Sequence, residues 1–427
     1  MIHVVRRGET LWGIARDYGV TERRLRSDNG IAAGQILVPG QALVILQPRE
    51  RYVVQAGDTL SGIVRAAGTT HRRLLQLNPF LTRDGLQPGQ ELFLSLREPA
   101  AWRAELNGYA YPFVQPGVLR WVLPFLTELS VFSCGFREDG SLVPPEDAFL
   151  LGQAAEFGNR PVLVFTSVDE SGTFSPERAS RLFRNRDLQE KILDRLLALM
   201  EEKGYQGLDV DFEYIPPEDA AAFLTFLSRA GDRLHEQGNR LHVDLAPNTS
   251  VEQPGLLYEA HDYGAVGALA DAVLLMTYEW GYAYGPPMAV APLPQVERVL
   301  RYGLTEIPGS KIRMGIPNYG YDWILPYTRE RRAVTVGNQE AVSLAARTGA
   351  EILYDEEARS PWFAYTAEGE RHQVWFEDAR SIREKLALAE KLGLSGAAWW
   401  SLLRPFPQNW AQVSATVQSD PGREGGE

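Results

Sequence analysis

Residues 207–214 read Gly-Leu-Asp-Val-Asp-Phe-Glu-Tyr. Successive side chains of a β-strand point to opposite faces, so Asp209, Asp211 and Glu213 share one face while Leu208, Val210 and Phe212 share the other. At about 3.3 Å of rise per residue, neighbouring acids on that face lie roughly 6.6 Å apart. Taken alone, an antiparallel strand with one wet acidic face fits this pattern. The flanking sequence argues for a different setting.

Seven other short apolar runs, at 106–113, 128–133, 161–166, 241–246, 272–278, 311–317 and 396–401, alternate with helical stretches. Several are apolar on both faces, as buried parallel strands must be. The helices include 187–203, 217–237 and 378–392, closed by Gly204, Gly238 and Gly393. With 207–213 the runs number eight, which predicts an α/β fold, a (β/α)8 TIM barrel. The Tyr-, Trp-, Glu- and Arg-rich stretch 324–374 breaks the rhythm and predicts a small α+β insertion after the seventh strand. Residues 97–105, REPAAWRAE, read as a linker, and the polar, Gly-rich SDPGREGGE at 419–427 as a disordered tail, leaving 103–418 for the barrel.

Within a barrel the apolar face of 207–213 packs on the helices and the acidic face turns inward. Three carboxylates there are costly unless protonated or hydrogen-bonded. Burial and like-charge repulsion raise at least one pKa, which is what a general acid needs near neutral pH. Barrel enzymes keep their catalytic groups at the C-terminal ends of the strands. Glu213, the last of the three acids, is therefore the expected general acid and Asp211 its partner carboxylate.

The N-terminus repeats itself. Residues 3–46 align with 52–95 at a constant offset of 49 without a gap. Val4, Gly8, Thr10, Leu11, Gly13 and Ile14 match Val53, Gly57, Thr59, Leu60, Gly62 and Ile63, while Leu25, Asn29, Pro39, Gly40 and Gln41 match Leu74, Asn78, Pro88, Gly89 and Gln90. Each copy, within 1–48 and 50–97, reads as a small βααβ unit with Thr10 or Thr59 capping the first helix and a Pro-Gly-Gln turn before the closing strand. From the pattern alone, a spacer domain fits as well. The V-x-x-G-D/E-T-L opening, the Asn of the second helix and the P-G-Q turn resemble the LysM module, which implies binding to glycans rich in N-acetylglucosamine, either peptidoglycan or chitin.

The acidic strand in turn resembles the D-x-x-D-x-D-x-E signature of family 18 glycoside hydrolases, with Asp209, Asp211 and Glu213 at its last three acidic positions and Gln206 in place of the first. Leu275-Met-Thr-Tyr-Glu-Trp280, Gly315-Ile-Pro-Asn-Tyr-Gly-Tyr321 and Gly396-Ala-Ala-Trp-Trp-Ser401 resemble further stretches of that family. The resemblance implies a retaining reaction in which the sugar's own 2-acetamido group attacks the anomeric carbon. Glu213 would protonate the leaving oxygen, Asp211 would orient the acetamido N–H, Asp209 would share a proton with Asp211, and Tyr278 would hydrogen-bond the acetamido carbonyl. Adjacent strand residues face opposite ways, so one of Trp399 and Trp400 is a core aromatic; the family pattern selects Trp400 as the floor under the sugar. Tyr109, Trp280, Asn318 and Tyr319 are further candidates for the cleft.

Two LysM modules ahead of such a barrel resemble the spore cortex-lytic N-acetylglucosaminidases, also known as spore germination proteins. That implies peptidoglycan of the spore cortex as substrate. A chitinase of the same mechanism, and a non-hydrolytic or epimerising coat protein, are the alternatives.

A net charge of −12 gives no footprint for nucleic acid. The six histidines show no metal-ligand spacing, and no cofactor motif is present, so no metal or cofactor is implied. The one cysteine, Cys134, reads as a buried apolar residue. No apolar run of about 18 residues suggests a membrane span, and the opening MIHVVRRGETLW lacks the apolar core of a secretory signal. The expectation is a monomer made in the mother-cell cytoplasm and laid down in the spore cortex or coat.

Overall fold

A computed structural model describes residues 1–169, 172–250, 252–255 and 257–419. The eight barrel strands are β1 (Trp102–Ala110), β2 (Glu128–Phe136), β3 (Arg160–Thr166), β4 (Gly207–Asp211), β5 (Arg240–Leu245), β6 (Ala272–Leu275), β7 (Ile312–Pro317) and β8 (Gly396–Trp400). Each is parallel to the next, and β8 pairs β1 to close the ring. The predicted (β/α)8 barrel is what forms.

The helices between strands end where the sequence places their stops. Arg186–Lys203 begins on Asn185, whose side chain accepts from the Leu188 N–H, and ends on Gly204 at φ 78°. It buries Leu188, Ile192, Leu193, Leu196, Leu197 and Met200 along one stripe, the geometry that fixes a helix on a sheet.

Three boundaries differ from the sequence reading. The linker is shorter than 97–105, because β1 already begins at Trp102; residues Val417–Ser419 add a parallel strand against Trp102–Ala104, and Trp102 is buried beneath it. Ser419 is therefore ordered, while residues 420–427, the rest of the expected tail, lie outside the described residues. The insertion is wider than 324–374. It is a five-stranded antiparallel sheet running from Gly320–Leu325 to Glu370–Trp375 with the helix Asn338–Thr348. Its first strand is the Gly-Tyr-Asp-Trp run that also follows the barrel motif, so one apolar stretch serves two sheets.

Each N-terminal repeat forms an antiparallel pair of strands flanked by two helices, with Thr10 and Thr59 accepting from the Gly13 and Gly62 N–H groups. Asn29 clips its helix to the closing strand through Leu25 O and Val44 O at 2.9 and 2.8 Å, and Asn78 does the same through Leu74 O and Phe93 O. The second copy has an extra turn of helix at Leu81–Asp84. Both copies sit against the barrel unit. Gln408 Nε2 donates to Ala42 O at 2.6 Å, and Arg72 Nη1 to Leu126 O at 2.6 Å. Gly40 and Gly89 share the left-handed turn (φ 84° and 85°), but only at Gly40 would a Cβ strike the insertion, at Ile352 O.

The N-terminal end of the barrel is plugged by charge. Glu105 and Glu128 meet Arg160, Arg240 and Arg313, with Arg313 Nη2 to Glu105 Oε2 at 2.6 Å and Arg160 Nη2 to Glu128 Oε1 at 3.0 Å. Arg313 holds both carboxylates low, Glu105 at about 2. His242, buried among them, is kept neutral because desolvation drops its pKa to about 3.

Candidate active site

The acids gather at the other end. The β4 ladder stops at Asp211, yet the alternation carries on: Phe212 packs outward on Phe165 and Phe183 (ring centroids 5.3 Å apart in both pairs), leaving Glu213 on the inner side with Asp209 and Asp211. Tyr214 then takes φ 59°, a conformation that a bulky side chain seldom adopts and that turns the chain out of the barrel.

The three acids are not equivalent. Asp209 is fully buried and raised to about 6; burial pushes it up, while the Tyr109 hydroxyl, 2.7 Å from Oδ2, and the Arg313 guanidinium at the barrel floor hold it down. Asp211 lacks such support and is pushed further up by burial and by the charges of Glu213 and Asp209. Glu213 is raised to about 7, by burial first and by Glu279 second. A carboxyl with that pKa carries its proton into a near-neutral reaction.

Tyr278 is buried with Asp244, Asp211, Glu213 and Glu279 around it. Gly315 makes room for it, since a Cβ there would lie 2.7 Å from Tyr278 Cε1. Trp400 stands over the inner face of the barrel, edge-on to Phe132 at 4.9 Å and Tyr109 at 5.5 Å. Trp399 points the other way, into the core, where its Nε1 donates to Asn409 Oδ1 at 3.0 Å. Trp280, half-buried, packs its ring against the core, and its backbone N–H donates to Val290 O at 3.0 Å.

Three candidates for the cleft wall have other work. Tyr109 is only 1% exposed, and its hydroxyl is taken by Asp209 and Asp244, so it lies beneath the cleft. Asn318 spends its amide on Ser401 O and Arg404 O, at 2.8 and 2.9 Å, tying the end of β7 to the loop after β8. Tyr319 is buried and donates to Glu279 Oε1.

Sequence reasoning passed over three members of this cluster. Glu279, at φ 68°, takes hydrogen bonds from Tyr319 and Tyr321. Tyr111, whose hydroxyl is raised to about 12 by burial and by Asp211, packs against Trp400. Asp244 of β5 joins Asp209 around the Tyr109 hydroxyl. For Asp244 the signal was available: an acid in the inward phase of a strand whose Leu241, Val243 and Leu245 take the other face.

The arrangement offers a protonated acid at the mouth, a buried pair of aspartates behind it, a phenol between them and an indole wall. It suits acid-catalysed cleavage of a bond to a sugar, with the protonated carboxyl placed to serve the leaving oxygen. Comparison with known proteins agrees. Residues 3–46 and 52–95 each match the LysM domain. A cortical fragment-lytic enzyme of Bacillus anthracis is 41% identical over 422 residues, covering 96% of both chains. The spore cortex-lytic enzyme SleL of Bacillus cereus superposes with a TM-score of 0.83 at 36% identity, covering 99% of both chains. A chitinase of Chromobacterium violaceum shares the barrel at 26% identity and a TM-score of 0.68, over 73% of this chain and 98% of its own. With residues 170–404 matching the family itself, the chain belongs to the glycosyl hydrolases of family 18.

Proposed function

We propose that this enzyme hydrolyses N-acetylglucosaminyl linkages in peptidoglycan fragments of the spore cortex, by retaining, substrate-assisted catalysis. The observation that carries the reading is Glu213, with its pKa lifted to about 7 beside a buried aspartate pair. Glu213 protonates the leaving oxygen and afterwards draws a proton from water. Asp211 orients the acetamido N–H and balances the positive charge of the oxazolinium ion. Asp209 exchanges a proton with Asp211, Tyr278 donates to the acetamido oxygen, and Trp400 supports the distorted ring. The requirement for an N-acetylated sugar at the cleavage point follows, because no protein carboxylate is asked to be the nucleophile.

Peptidoglycan ranks above chitin because relatives matching nearly the whole chain, repeats included, are cortex-lytic enzymes, whereas the chitinase matches the barrel portion alone. The two repeats supply glycan binding beside the catalytic barrel. We further propose synthesis in the mother cell, deposition in the spore cortex or coat, and action as a monomer.

Incubating the protein and its Glu213→Gln variant with cortex muropeptides, and following products by mass, tests the reading. New N-acetylglucosamine reducing ends are expected from the wild type, with a loss of about 100-fold or more in the variant. Equal rates in both would remove Glu213 from its role. Faster turnover of chitin oligomers than of muropeptides would make it a chitinase, a mass-neutral product an epimerase, and binding without turnover a coat lectin.

A further inference from the structure

Asp244 lies in the run Leu241-His-Val-Asp-Leu-Ala246, 4% exposed, and has no role in the steps described above. Both of its carboxyl oxygens stand 2.9 Å from the Tyr109 hydroxyl, which itself stands 2.7 Å from Asp209 Oδ2. A phenol has one proton to give. If Tyr109 gives it to Asp209, an ionised Asp244 would press bare oxygens against the lone pairs of the same hydroxyl.

The groups facing Asp244 make ionisation worse. Tyr109 comes from β1, Asp209 and Asp211 from β4, and Tyr278 from the end of β6. Farther down lie Glu128 and Arg313, whose fields reach Asp209, and neutral His242 on the same strand. Burial and the two aspartates oppose a charge on Asp244, and only the Tyr109 hydrogen bond favours one. Three carboxylates cannot all be charged in so dry a space.

We propose that Asp244 is a positioning residue: a neutral carboxylic acid that donates its O–H to Asp209 and so keeps Asp209 a carboxylate, ready to receive the proton of Asp211. The inference rests on the substrate-assisted reading. Asp211 must be negative when the acetamido group becomes a cationic oxazolinium. Its O–H bond breaks, a new O–H bond forms on Asp209, and the proton returns when water opens the ring, so the cycle closes without any outside acid or base. Asp209 can accept that proton only while it carries none. The hydrogen bonds from Tyr109 and Asp244 both lower its pKa and maintain that state.

Two variants of the full-length protein test this. Asp244→Leu keeps the branched shape and removes the donor. Asp244→Asn keeps a neutral donor in its place. The leucine variant is expected to lose about 10- to 100-fold in kcat, the worth of one hydrogen bond to a charged group, with KM changed far less. Its acid limb should move to higher pH, since Asp209 then holds its own proton more tightly. The asparagine variant should recover most of the rate and the wild-type limb. Wild-type rate and limb in the leucine variant, or an asparagine variant as slow as leucine, would overturn the proposal. Infrared spectroscopy supplies a readout independent of substrate. The wild type should show, at neutral pH, the C=O band of a protonated buried carboxyl that Asp244→Asn lacks, and identical bands in the two proteins would mean that Asp244 is ionised. That measurement also holds should the leucine variant fold poorly. A wild type inactive on every glycan would sink the hydrolytic reading and leave the infrared test standing.

Discussion

The Tyr321 hydroxyl donates to Glu279 Oε1 at 3.0 Å, and Tyr319 donates to the same oxygen. Tyr321 belongs to the first strand of the insertion, so the added sheet reaches into the acid cluster of the barrel. Glu279 is, after burial, the cause that lifts Glu213. Glu213 must carry a proton to start the reaction. Activity is therefore present below its pKa and lost as pH rises through it. Glu279→Gln removes the repelling charge and lowers that pKa, so the alkaline limb should shift below its wild-type place near pH 7. Tyr321→Phe should move it the same way by less, because a Glu279 deprived of a donor holds its proton more readily. A pH–rate profile of kcat/KM for the three proteins checks this, and a limb unmoved in Glu279→Gln would dissociate the two glutamates.

Asp211 works at the expense of stability. Its folded pKa lies well above the value of a free aspartate, so the folded state binds more protons than the unfolded one between the two pKa values, and stability falls as pH rises through that window. Asp211→Asn removes the titration. The variant is expected to be more stable by roughly 1–2 kcal/mol at pH 7, with a smaller gain near pH 4, while losing about 100-fold or more in kcat. Calorimetric melting at the two pH values, alongside turnover, separates this from a simple packing change, which would give the same gain at both.

The barrel was legible because its eight runs are apolar and its helices end on glycine. The acid strand was legible because a period of two places Asp209, Asp211 and Glu213 together whatever the surrounding sheet. Parity only set Trp399 and Trp400 on opposite faces; the family pattern chose Trp400 for the cleft, and the structure buries Trp399 in the core. What the sequence hid was partnership across the barrel. Tyr109 and Asp244 are 135 residues apart and touch only once the ring closes. Asn318 and Tyr319 sit in a motif at the cleft, but which way each turns depends on the loop after β8 and on Glu279. The insertion began earlier than expected because Gly320–Leu325 is an apolar strand directly continuing the strand before it, with no composition change to mark the border.

Glu128 and Arg313, each nearly inaccessible to solvent, pair at the floor of the barrel, and the fields of both reach Asp209. Glu128→Gln leaves the Arg313 guanidinium with Glu105 as its one ion-pair partner among the described residues. A buried ion left short of its partner costs about 3–5 kcal/mol, so a large fall in Tm is expected. The pH dependence of stability gives a second mark. Glu128 and Glu105 have folded pKa values below their free values, so their contribution is complete above about pH 4.3, the free-glutamate value, and is lost as pH falls through the folded values, about 2 for Glu105. The variant should show a shallower loss of stability across that acid range. The third mark appears at the other end of the barrel. Glu128 raises Asp209 and Arg313 lowers it, so removing the glutamate leaves the arginine field less opposed. The acid limb of kcat should then shift to lower pH in the folded fraction, opposite to the shift expected for Asp244→Leu. An acid limb that stays in place while Tm falls would confine the ion cluster to holding the barrel together.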